Sequence, residues 1–141
     1  MASGLYNRLK YNLLKKLIDL STDTCKVILL DSDHAFDADD NVLADVDANE
    51  ISPGSALGYI PGGAAIATPT VTQDDANDCA VFNGVDVTWS DATFDAYHAV
   101  IYDDSVAGDP LIGSIDFGAI KSVSSGTFTI QWHTDGIVKL A

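Results

Sequence analysis

At 141 residues the chain is the size of one domain, long enough to bury a core without disulfides or metals. Hydrophobic residues make up 47% and charged residues 20%, a globular balance unlike that of a disordered chain. The formal net charge is −14, and so acidic a surface repels phosphate backbones, which argues against nucleic acid as a ligand.

Five of the seven basic residues, Arg8, Lys10, Lys15, Lys16 and Lys26, lie in the first 26 positions. No apolar run approaches the roughly 18 residues of a membrane span, so no membrane is expected as a partner. Charges inside the N-terminal apolar pattern are also unlike a secretory leader.

The opening SGLYNRLKYNLLKKLIDLS predicts an amphipathic helix within residues 1–20. Leu5, Leu9, Leu13 and Leu17 recur every fourth position, with Tyr6, Leu14 and Ile18 widening the stripe. Ser3 is the expected N-cap and STDT the expected stop. Such a helix is marginal alone, so its stripe must dock on the chain's own sheet or on a neighbour.

Residues 25–141 then read as β. CKVILL is a first strand, and AAIATPTVTQ and CAVFNGVDVTW follow, the latter broken by Asn83-Gly84, a hairpin signal. TFDAYHAVIYDD alternates, putting Phe94, Ala96, His98, Val100 and Tyr102 on one face and Asp95, Tyr97, Ala99, Ile101 and Asp103 on the other. LIGSIDFG and TFTIQWHTDGIVKL complete the set, with Asp135-Gly136 expected to close a final tight hairpin. The pattern predicts one mainly β domain, an antiparallel β-sandwich or jelly-roll-like barrel with one N-terminal helix. Residues 31–63 form a long loop region, with a helical turn near Val42 to Glu50 and a Gly/Pro-rich stretch from Ser52 to Gly63.

Within that loop DSDHAFDADD carries five aspartates, Asp31, Asp33, Asp37, Asp39 and Asp40. An EF-hand needs a glycine at its sixth position and a glutamate at its twelfth. Counting from Asp31 puts Phe36 and Val42 there, and counting from Asp37 puts Val42 and Ala48. Both registers fail. Asp31, Asp33, Asp37 and Asp39 remain candidate ligands of a calcium loop of another kind. The competing reading, which the composition favours, is a hydrated turn whose side chains cap local backbone groups.

Cys25 and Cys79 lack metal-ligand spacing and read as small buried hydrophobes, with a disulfide between them as the alternative. His34, His98 and His133 are far apart in sequence, and no GxSxG, HExxH or phosphate-binding glycine motif is present. No nucleophile is paired with a base, so no enzyme is expected. Trp89, Tyr97, Tyr102 and Trp132 could form a sugar-binding platform. However, Trp89 is in phase with Val85 and Val87, and Trp132 with Phe128 and Ile130, the phase of core anchors.

Taken in order, MASGLYNRLKYNLL, VILLDSDHAFDADDNVLADVDANEIS, GYIPGGAA, VTWSDATF, YHAVIYDD, DPLIGSIDFG and FTIQWHTDGIVKL resemble a family of small virion structural proteins of tailed bacteriophages. The resemblance covers nearly the whole chain. The family pattern is more compact where this chain has SPGSALGYIPGG, and no catalytic residues come across with it.

The resemblance implies a non-enzymatic cement or decoration protein on the capsid surface of the virion, a homo-oligomer bound to the major capsid protein. Its expected interface is Leu5, Arg8, Leu9, Leu13, Lys15, Lys16 and Leu17 of the helix, with Tyr59 of the long loop. The alternatives are a tail or fibre component, stabilised by calcium at the aspartates, and a head–tail connector.

Overall fold

The computed structural model describes residues 3–51, 54 and 56–141. The protein is mainly β, as the patterning predicts, with two antiparallel sheets and one N-terminal helix. In chain order the elements are β1 (Gly4–Leu5), α1 (Asn7–Leu14), β2 (Cys25–Leu30), β3 (Ala64–Ala65), β4 (Thr70–Asp74), β5 (Cys79–Asn83), β6 (Val87–Asp103), β7 (Leu111–Ile130) and β8 (Val138–Leu140). The larger sheet runs β1-β7-β6-β2-β3 and the smaller runs β4-β5-β8. Both strand orders are linear.

β2 is a central strand, and its sequence says why. Val27 and Leu29 enter a cluster with Phe82 and Val138 of the smaller sheet, which joins the two sheets face to face. Ile28 and Leu30 point the other way, into a second cluster with Tyr6, Val46, Val100, Tyr102 and Leu111. That second face is covered by the long loop, through Phe36, Leu43 and Val46. A strand buried on both sides has no polar alternation, as in CKVILL.

β6 departs from the expected alternation. Its register against β7 shifts between Ala96 and His98. Phe94 and Ala96 therefore share the main cluster with Ala99 and Ile101, whereas Val100 and Tyr102 join the second. Across this irregularity β6 advances two residues, from Ala96 to His98, while β7 advances five, from Asp116 to Lys121, and the faces of β6 exchange beyond it.

Three turn expectations need correction. Residues 119–126 continue the strand, so LIGSIDFG and TFTI are one strand, β7. Asn83-Gly84 does not close a hairpin. It is the corner where the chain leaves the smaller sheet for the larger, with Gly84 N–H donating to Asn83 Oδ1 at 2.9 Å. Likewise Asp135-Gly136 joins β7 to β8 across the two sheets, and β8 pairs with β5.

The helix is shorter than the leucine period suggests. Gly4 and Leu5 pair with Ser114 and Gly113 of β7, and α1 spans only Asn7–Leu14. Ser3 is not the N-cap; its Oγ accepts the Asp116 N–H at 2.9 Å. A spacing of four drifts roughly 40° per step around a helix of 3.6 residues per turn, so the stripe spirals off any flat surface. Leu9 is buried, Leu5 and Leu13 half-buried, and Leu17 exposed.

Candidate functional site

Where α1 ends, the chain makes an apolar groove. Lys16 takes a left-handed φ of 57°, and Leu17 N–H donates to Asn12 O at 2.9 Å, closing the last turn. The following residues carry Ile18 and Leu20 into the core, leaving Leu14 90% and Leu17 48% exposed. The opposite wall is the smaller sheet, where Val71 and Leu140 are exposed. Between them lies a groove of about 550 Å³ lined by Leu13, Leu17, Val71, Val81, Phe82 and Leu140.

Its charged rim is mixed. Lys16 sits beside Asp19 and Asp23, and Asp19 is held below the usual carboxylate range by the Ser21 hydroxyl and backbone N–H. Sequence reading found the helix wall of this groove and missed the sheet wall. Val71, Val81 and Leu140 belong to separate strands with nothing local to link them to the leucines.

The other expected interface residues divide. Leu5, Leu13 and Arg8 are half-buried, and Lys15 and Lys16 are exposed. The Arg8 guanidinium lies 5.4 Å from the centre of the Tyr11 ring, held along the helix surface. Leu9 and Tyr59 do not face outward. Leu9 is fully buried in the main cluster, and Tyr59 packs against Trp89 and Phe94 at centroid distances of 6.2 and 6.1 Å. The Tyr59 hydroxyl donates to Glu50 Oε1 at 2.5 Å and accepts the Leu29 N–H at 3.2 Å. This apolar, hydrogen-bonded setting pushes its pKa well above the usual tyrosine range.

The aspartate loop uses its carboxylates on itself. Asp31 Oδ1 accepts the Asp33 N–H at 2.9 Å, Asp37 Oδ1 accepts the Asp39 N–H at 3.0 Å, and Asp39 Oδ1 accepts from Asn7 Nδ2 at 2.8 Å. The first two are Asx turns, and the third pins the loop to the start of α1. Among the described residues no three His, Cys, Asp or Glu side chains converge as a metal site.

Two buried polar clusters were invisible in sequence. His34 and His98 meet edge to face at 5.1 Å, with His34 Nε2 at 3.3 Å from Ser114 Oγ and His98 Nδ1 at 3.9 Å from Asp116 Oδ1. Burial, then the neighbouring His98, pushes the His34 pKa down. Ser114, His34 and His98 are all buried. Asp103 is fully buried beside Asp23, and its Oδ2 receives no N–H or O–H. Burial, with Asp23 adding to it, pushes the Asp103 carboxyl up to about 6.

The remaining candidates are placed simply. Cys25 and Cys79 are buried free thiols. Trp89 is a core anchor, whereas Trp132 is half-buried and donates its indole N–H to Val85 O at 3.0 Å. No described helix is long and apolar enough to cross a membrane. No family model, curated protein or solved structure matches the chain.

Proposed function

We propose that this chain is a non-enzymatic virion structural protein, a cement or decoration protein that binds the head shell of a tailed phage. One observation carries the reading: an open apolar groove between the end of α1 and the smaller sheet, with Leu14 and Leu17 projecting beside Lys15 and Lys16. Leucines exposed this far on a small chain of charge −14 are unfavourable in water and gain by burial against a protein surface. The lysines beside them are the part of this acidic body that can approach an acidic subunit without repulsion. The long loop, folded down by Glu50 and Tyr59, makes the body rigid, which suits a clamp that loses little entropy on docking. Weak contacts of this size gain strength through repetition over a shell.

The test is a rebinding assay on heads assembled without the protein. Wild-type chain should saturate the shell, and Leu17→Asp should abolish binding while staying folded. Undiminished binding by Leu17→Asp would refute the groove as the docking surface. The sequence resemblance also leaves a tail or connector role as the second reading, which copy number separates from decoration.

A further inference from the structure

We propose that the outer edge of β7, with the apolar groove beside it, forms a two-fold contact with a second copy of this chain. β7 pairs with β6 along its inner edge, but on its outer edge only Gly113 and Ser114 meet β1. Among the described residues no strand pairs with that edge over 115–130. A long open edge is a template for another strand. Gly118 N–H is already bonded to Asp116 Oδ1 at 2.8 Å, Gly118 and Ser125 both have positive φ, and the register against β6 shifts on either side of Lys121–Val123, so that is the regular stretch open to pairing.

The groove beside this edge has a volume of about 630 Å³ and is lined by Ile115, Phe117, Ile120, Phe128, Trp132 and Ile137. Phe128 stands 5.9 Å from Trp89 and 5.1 Å from Phe94, so the groove opens on the flank of the aromatic core. Phe117, Phe128 and Trp132 are only half-buried, and Ile120 is 45% exposed. A second body would complete the burial of this flank.

Charge selects that body. Two copies of charge −14 repel wherever their carboxylates face each other. Three stretches of 18 residues or more hold no Asp or Glu, namely 1–18, 51–73 and 117–134. Of these, 117–134 lies on the longest strand with an open edge and lines an apolar groove. A two-fold axis brings identical patches together and runs the paired edges antiparallel, so acid-free surface meets acid-free surface. No proline interrupts 115–130, and its only charged residues are Asp116 and Lys121. No residue lines both this groove and the one assigned to shell binding, so the two surfaces can be engaged together.

Sedimentation velocity on the full chain decides the matter. The expected result is a dimer whose share rises with protein concentration and with salt, because salt screens the repulsion between acidic bodies. Ile120→Asp and Lys121→Asp, both at exposed positions, should weaken the dimer roughly tenfold or more. Leu17→Asp in the other groove should leave it unchanged. A chain that stays monomeric at every concentration and salt overturns the proposal, as does a dimer that tolerates Lys121→Asp. Circular dichroism confirms that each variant is folded, and Lys121→Asp decides if Ile120→Asp is not.

Discussion

Tyr59 reaches across the long loop to Glu50, its hydroxyl 2.5 Å from Oε1, while the Gly62 N–H meets the same oxygen at 2.7 Å. Glu50 is the single glutamate of the chain; its Oε1 accepts from Tyr59 and Gly62, and the Tyr59 hydroxyl in turn accepts the Leu29 N–H of β2. Tyr59→Phe keeps the ring packing but leaves the Leu29 N–H and the carboxylate short of a partner. The expected cost is about 1–3 kcal/mol, read as a lower denaturant midpoint with unchanged slope.

Gly63 follows the same segment and approaches β2 so closely that a Cβ would overlap the Val27 carbonyl. Its φ of +78° adds strain for any L side chain. Gly62 has φ +88°, but a Cβ there would meet only the Tyr102 hydroxyl at 3.7 Å. Gly63→Ala should therefore unfold the chain or cost several times more than Gly62→Ala in thermal melts. Equal costs would mean that backbone strain alone, and not the approach to Val27, dominates.

Acid–base behaviour centres on Asp103. Its carboxyl has a folded pKa of about 6 against an ordinary 3.8, so the folded chain holds a proton that the unfolded chain has lost between those values. The stabilising contribution is complete below 3.8 and is lost as pH rises through 6. Asp103→Asn keeps an oxygen for the Ser105 N–H and offers an N–H₂ to Asp23. It should raise the melting temperature above pH 6 and change it little near the ordinary carboxyl value. The gain is on the order of 1 kcal/mol. His34 acts with the opposite sign: its lowered pKa removes stability as pH falls through and below 6.5.

Leucines of one apparent stripe should behave differently. Leu9→Ala removes a fully buried side chain and should cost about 2–5 kcal/mol. Leu14→Ala alters a side chain that is 90% exposed and should change stability by no more than about 0.5 kcal/mol. Comparable losses at the two positions would contradict the short helix.

The β class and the CKVILL strand, β2, were legible because each is written in local residue types. Trp89 was legible as an apolar anchor in phase with its neighbours, whereas Leu9, read as part of an outward interface, is core. The bulge after Ala96 was not, because a register shift is set by the partner strand and leaves no mark in TFDAYHAV. The length of α1 was lost for a related reason: Gly4 and Leu5 gain more as an edge strand on β7 than as a first helical turn. Tyr59 read as a loop aromatic because its partner Glu50 lies across a glycine-rich turn. Of the candidate groove, only the helix side could be read, since Val71 and Leu140 reach it by way of sheet topology.

The proposed virion role is tested most directly by the copy number of this chain in purified particles of a tailed phage that carries its coding sequence, measured by quantitative mass spectrometry against the major capsid protein. A fixed ratio to the shell subunits is expected, matching the repeating lattice of the head. Absence from the particles, or only the few copies of a connector ring or tail tip, would contradict it.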